Sequence, residues 1–256
     1  MTARLTVEDV SLHFGGIKVL DSVSFEVEPS TVFGLIGPNG AGKTSLFNCV
    51  SGHYKPSSGS IGIDGADVLS RAPSALARMG LARTFQHPAL QLDQTVLDNV
   101  LLGGHSRLSG GALSWALRLP HAVRGERALR RQAHDVLARL DLDWATRLPA
   151  GELAHGFRKR VELCRALLSQ PKLLLLDEPA AGLSHAEVED LIGWIRNLRA
   201  EFELTIVVVE HHMGLIAAVT DRLAVLNQGR KLAEGTAAEV RQDPRVVEAY
   251  LGQGAA

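Results

Sequence analysis

The segment GPNGAGKT, Gly37 to Thr44, constrains the fold of this chain more than any other. It fits the spacing G-x-x-x-x-G-K-[ST], follows the apolar run TVFGLIG and leads into SLFNCVSG, a short helical pattern that ends at Gly52. Glycines let the backbone wrap closely, so that successive N–H groups and the N-terminus of the next helix converge on one anion. Gly37, Pro38, Asn39, Gly40, Ala41 and Gly42 would form the cradle and Lys43 would reach the terminal phosphates of a nucleotide. Thr44 would offer its hydroxyl to magnesium, with Ser45 beside it in the binding set. A ligand-free glycine turn is the competing reading. By composition a chance match is on the order of one in a hundred, and the strand-loop-helix context lowers it further.

The rest of the chain supplies a sheet for that loop. Val23, Phe25 and Val27 alternate with polar residues, as do Ile61 and Ile63, which predicts half-buried strands bounded by turns. TVFGLIG, KLLLLDEP and TIVVVEH are continuous apolar runs of the kind buried on both faces of a parallel sheet. Between the last two, Val188, Leu191, Ile192, Ile195 and Leu198 recur at helical spacing, so strand, helix and strand follow one another. From about Pro88 to Ala166 no buried strand is evident. One helical stripe there runs through Leu129, Ala133, Val136, Leu137 and Leu140, and LSGGALSWALRLPHAVRG before it reads as loop. The reading is an α/β core at 1–87 and 166–256 with a helical insertion at 88–165.

Two further segments carry chemistry. Asp177 in LLLLDEP leaves a buried strand at the end where open α/β sheets bind ligands, placed to hold a magnesium shell. Glu178 follows it, where a carboxylate can orient or deprotonate a water attacking a γ-phosphate. In VVVEHHM, His211 after a buried strand suits a hydrogen bond to that phosphate. His211 and His212 come with no further ligands at a metal spacing.

With 27 basic and 28 acidic side chains the net charge is −1, so no global field favours nucleic acid. The arginines at 118, 124, 127, 130 and 131 read as a solvated helix face. The apolar runs fall far short of the ~20 residues that span a bilayer, and the first residues show no secretory leader. Cys49 and Cys164 lie in apolar helical patterns as small reduced core residues.

These residues together resemble an ATP-binding cassette (ABC) subunit along essentially the whole chain, in particular the ATP-binding subunits of branched-chain amino-acid importers. FNCVSGHYKPSSG, DEPAAGLS, VLNQGRKLAEGT and DPRVVEAYLG carry the likeness to that subgroup. The resemblance implies a P-loop NTPase core of the ABC type, with an N-terminal antiparallel β subdomain and an inserted α-helical subdomain. It implies ATP and Mg2+ as cofactors. It places Phe14 at the adenine-stacking position and Gln86 between core and insertion as a catalytic and magnesium-linked glutamine. Alone, Phe14 would read as strand core and Gln86 as a solvated loop residue.

The family's signature opens a helix about two dozen residues before the magnesium-binding strand. LSGGA at Leu108 to Ala112 lies too early for that, and LAHGFRKRVELCRALL, from Leu153, lies in the right place. Its nucleotide-facing residues would be Ala154, His155 and Gly156. Ala154, His155 and Phe157 depart from the general L-S-G-G-Q pattern, and Ser184 stands where most cassettes have aspartate. The resemblance further implies a second cassette, two permeases, an external binding protein and a place on the cytoplasmic face of the cell membrane. A soluble cassette ATPase acting on ribosomes or DNA, and a cassette that senses ATP without hydrolysing it, are the alternative readings.

Overall fold

The computed structural model describes residues 2–85, 89–107 and 120–251. The elements in chain order are β1 (Leu5–Phe14), β2 (Ile17–Val27), β3 (Val32–Ile36), α1 (Lys43–Val50), β4 (Ser58–Ile63), β5 (Ala66–Asp67), α2 (Pro73–Arg78), β6 (Leu81–Arg83), α3 (Val96–Gly103) and α4 (Pro120–Arg139). They continue with α5 (His155–Leu168), β7 (Leu173–Asp177), α6 (His185–Phe202), β8 (Thr205–Val209), α7 (Met213–Val219), β9 (Arg222–Asn227), β10 (Arg230–Gly235), α8 (Ala237–Gln242) and α9 (Pro244–Leu251). The chain divides into two compact units, Met1–Arg83 with Lys172–Ala256, and Thr84–Pro171.

The first unit holds two sheets. The antiparallel one has the order β2-β1-β4-β5, and the larger one the order β10-β9-β3-β8-β7-β6. In the larger sheet β9, β3, β8, β7 and β6 run parallel and β10 adds an antiparallel edge. Every residue of β3, β7 and β8 is buried, which is why their sequences run apolar without alternation. Gly34 inside β3 is required by contact, since a Cβ there would meet the Leu223 side chain at 2.9 Å. The predicted stripe of α6 is the buried one, from Val188 to Leu198. Ser184 starts this helix in a capping box: its Oγ accepts from Glu187 N–H, and the Glu187 carboxylate accepts from Ser184 N–H at 2.8 Å. Aspartate caps as well as serine, so this departure from the family pattern costs the helix nothing.

In the second unit the stripe Leu129, Ala133, Val136, Leu137 and Leu140 is buried as the spacing predicts. Gly103 ends α3 so close to α5 that a Cβ would meet Arg165 O. One reading needs correction. Pro120 to Gly125, taken as loop from the sequence, is the start of α4. Proline suits the first helical position, where its missing N–H has no intrahelical partner to lose. The insertion expected at 88–165 would cut α5, which runs on to Leu168 with Ala166, Leu167 and Leu168 buried. LSGGA lies outside the described residues. No helix among the described residues is long and apolar enough to cross a membrane.

Candidate nucleotide site

The loop from Gly37 to Gly42 leaves β3 and enters α1 at Lys43. Gly37 has φ 148°, and a Cβ on it would meet Leu226 O at 2.1 Å; Gly42 has φ 101° and faces Val19 O at 2.9 Å. These two positions require glycine by conformation and by space. The β9–β10 turn braces the loop from outside, with Gly229 N–H donating to Ala41 O at 3.1 Å and Asp21 N–H donating to Gly229 O at 2.8 Å. Leu46 N–H makes the first helical bond, to Gly42 O at 2.9 Å, and no side chain caps α1. The N–H groups of Lys43, Thr44 and Ser45 are therefore anion donors by position. Thr44 is exposed, and Asn39 and Gly40 form the open rim beside the buried Pro38 and Ala41.

Lys43 is buried, and its Nζ donates to Gly37 O at 2.7 Å and Pro38 O at 2.9 Å. Burial pushes its ammonium below the ordinary lysine range, and the Glu178 and Asp177 carboxylates oppose that shift. The lysine and both predicted acids thus share one electrostatic environment. Asp177, at the end of β7, is buried and paired through Oδ2 with Arg83 Nη2 at 2.7 Å. Arg83 also donates to Asn48 Oδ1 at 2.7 Å and Ser51 Oγ at 2.8 Å, and lies 5.7 Å from the Phe47 ring centroid. It ties the acid to the far end of α1.

Glu178 has φ 47°, a left-handed backbone unusual for a side chain with a Cβ. Its N–H donates to Val209 O at 2.9 Å. Beyond β8, Glu210 is fully buried and accepts N–H bonds from Ala180, His211 and His212. The His211 side chain is 64% exposed, so its ring is open to a ligand. His212 instead caps α7, its Nδ1 accepting from Leu215 N–H at 3.1 Å. Phe14, 47% exposed at the end of β1, packs edge-to-face on Tyr54 with ring centroids 5.2 Å apart. It is a surface aromatic rather than strand core. Tyr54 was not legible as part of this pair, because the turn it occupies carries no periodicity.

In the second unit α5 opens at His155 behind Ala154, with Ala154 and His155 exposed and Gly156 buried. Ala154 has φ −62° and ψ 160°, the backbone of a helix cap, yet offers no capping oxygen. Ala154→Ser is expected to stabilise the chain by about 1 kcal/mol, raising the thermal midpoint by roughly 2–4 °C; calorimetry reads this directly. Phe157 packs edge-to-face on Trp144 at 5.4 Å, and Arg160 lies 4.9 Å from its ring centroid. Phe157, one of the departures from the signature pattern, is thereby held in a local cluster.

Gln86 lies outside the described residues, but both flanks of its segment are held by α5. Buried Glu162 accepts N–H bonds from Phe85, at 3.1 Å, and from Ala89, while Arg165 donates to Ala89 O at 2.7 Å. Desolvation raises the Glu162 pKa from 4.5 to about 7, against the Phe85 and Ala89 N–H bonds and the charges of Arg165 and Lys159. The folded chain therefore holds a proton that the unfolded chain has released between pH 4.5 and about 7. Stability from this group is complete below that window and falls as pH rises through it, by up to about 3 kcal/mol. Glu162→Gln is expected to remove that slope, measured as the urea midpoint against pH; an unchanged slope would contradict the shift.

A family model described as ABC transporter matches residues 20–181, and one described as branched-chain amino acid ATP-binding cassette transporter matches residues 230–256. The chain is 38% identical over 249 residues to BraF of Pseudomonas aeruginosa, a high-affinity branched-chain amino acid transport ATP-binding protein, covering 97% of this chain and 98% of that one. It is 39% identical, with the same coverage, to LivG of Escherichia coli K12, which carries the same description. Among solved structures, a nucleotide-free ATP-binding cassette from an ABC transporter superposes with a TM-score of 0.85 at 32% identity, covering 97% of this chain and 99% of that one. The ADP conformation of an ATP-binding cassette of an ABC transporter also gives 0.85 at 32% identity, covering 98% and 100%. The chain belongs to the ABC transporter family, as an ATP-binding cassette of the branched-chain amino-acid type.

Proposed function

We propose that this chain is the ATP-hydrolysing motor subunit of an importer for branched-chain amino acids or related small amino-acid and amide substrates. The observation that carries the chemistry is that the glycine loop with its buried Lys43 follows β3, and buried Asp177 ends β7 with Glu178 after it, at the carboxyl ends of strands in one parallel sheet. The likeness to BraF and LivG across 97% of the chain carries the transport assignment.

The N–H groups of Lys43, Thr44 and Ser45 at the start of α1, with those at the rim of the glycine loop, hold the ATP phosphates, and Lys43 exchanges its loop carbonyls for phosphate oxygens. Phe14, backed by Tyr54, stacks on adenine. Glu178 orients and deprotonates the attacking water, and the His211 ring donates to the γ-phosphate. Thr44 and Asp177 are hard oxygen donors that would hold magnesium, and Gln86 would add its amide oxygen to the set. Arg83 holds Oδ2 of Asp177 and so leaves Oδ1 for the ion. When bound, magnesium neutralises charge on the phosphate oxygens.

The other face of each ATP comes from a second cassette, through the residues equivalent to Ala154, His155 and Gly156 at a helix N-terminus. ATP favours the closed pair because only there does it touch both faces, and hydrolysis removes the shared contact. The segment around Gln86 and the helical unit pass this motion to two permeases at the cytoplasmic face of the membrane, supplied by an external binding protein. Nucleic acid has no part in this cycle.

The test is to tag the chain in its native host, solubilise membranes gently and identify what copurifies. Two polytopic permeases with a second cassette are expected. Ribosomal or DNA-repair partners with no permease would overturn the transport assignment.

A further inference from the structure

Glu210 is a fully buried carboxylate at the end of β8, one residue beyond the point where the β7–β8 ladder stops at Asp177 and Val209. Burying such a group costs several kcal/mol unless its oxygens are hydrogen-bonded. Its oxygens meet three backbone donors. Oε1 accepts from Ala180 N–H at 2.7 Å, and Oε2 accepts from His211 N–H at 2.9 Å and His212 N–H at 3.0 Å.

Those donors belong to the two segments that carry Glu178 and His211. Glu178 sits in a left-handed backbone that its surroundings must hold in place. Val209 O anchors it from one side through its own N–H, and Glu210 Oε1 anchors the same turn two residues later at Ala180. The second oxygen of the same carboxylate fixes the start of the histidine segment. A single rigid group thus sets the spacing between the two.

We propose that Glu210 is a positioning residue for ATP hydrolysis, locking the Glu178 turn and the His211 backbone into one fixed geometry. This rests on the roles proposed above for Glu178 and His211. Glu210 touches neither substrate nor water in this scheme, and acts only through those two residues.

Glu210→Gln keeps the shape of the side chain but turns an NH2 towards at least one of the three N–H donors, breaking the tie on one side. In the complete transport complex, Glu210→Gln is expected to lower kcat roughly 10- to 100-fold while the KM for ATP stays within about threefold, as a small misplacement of a reacting group does. Combined with Glu178→Gln, it is expected to add little to the loss from Glu178→Gln alone, because both act on one step.

A merely structural role would lower the thermal midpoint and leave the kcat of the surviving complex unchanged, which would overturn the proposal. Independent losses that multiply in the double variant would also overturn it. If Glu210→Gln fails to assemble, Glu210→Asp keeps the charge on a shorter arm and is read by the same kcat and KM criteria. If Glu178→Gln itself turns over normally, the fault lies with the proposed function; if Glu178→Gln stalls and Glu210→Gln does not, the fault lies with Glu210.

Discussion

Glu178→Gln is expected to bind ATP as tightly as the parent chain and to release phosphate at least about 100-fold more slowly, the loss typical of removing a general base. Glutamine is nearly isosteric and keeps the left-handed turn at this position, whose N–H bond to Val209 O does not involve the side chain. The capacity to take a proton is lost, together with the negative charge that acts on Lys43. Nucleotide affinity from a fluorescent ATP analogue and phosphate release should therefore separate. Normal phosphate release would remove Glu178 from its assigned role.

Lys43→Ala acts earlier in the cycle. The ammonium is buried against two loop carbonyls, close to Asp177 and Glu178, and its bonds to phosphate would be charge-assisted. At about 1.5–3 kcal/mol for each hydrogen bond to a charged group, its removal is expected to weaken ATP binding by roughly 100-fold. The fold should persist, because the loop conformation rests on Gly37, Gly42 and the brace from Gly229 rather than on the lysine. Unchanged affinity would show that the loop binds without it.

The parts of the fold legible in the sequence are those where one physical rule acts alone. Strands buried on both faces, β3, β7 and β8, appear as continuous apolar runs, and α6 and α4 show their buried stripes at helical spacing. β1 was not legible because register shifts between Val7 and Val10, Val10 and Leu12, and Leu12 and His13 interrupt its alternation. The start of α4 was hidden by Pro120 and Gly125, which read as breakers, although a proline can open a helix and a mid-helix glycine costs only about 1 kcal/mol.

Within the candidate site, Lys43, Asp177 and Glu178 stand out in the sequence because local spacing carries them. The groups that hold them in place do not. Arg83 reaches Asp177 across 94 positions, and Glu210 reaches Ala180 across 30, so each reads in sequence as an ordinary charged residue until the sheet brings the pair together. Glu162 was equally silent, since a carboxylate in a basic helix reads as surface until its burial is seen.

The most direct measurement is phosphate release by the membrane complex purified through this chain, with and without a loaded binding protein, for the parent chain and for Glu178→Gln. An importer motor releases phosphate faster when the loaded binding protein is present, and falls to background in Glu178→Gln. Release that ignores the binding protein, or that persists at the parent rate in Glu178→Gln, would contradict the assignment of this chain as the hydrolysing motor of transport.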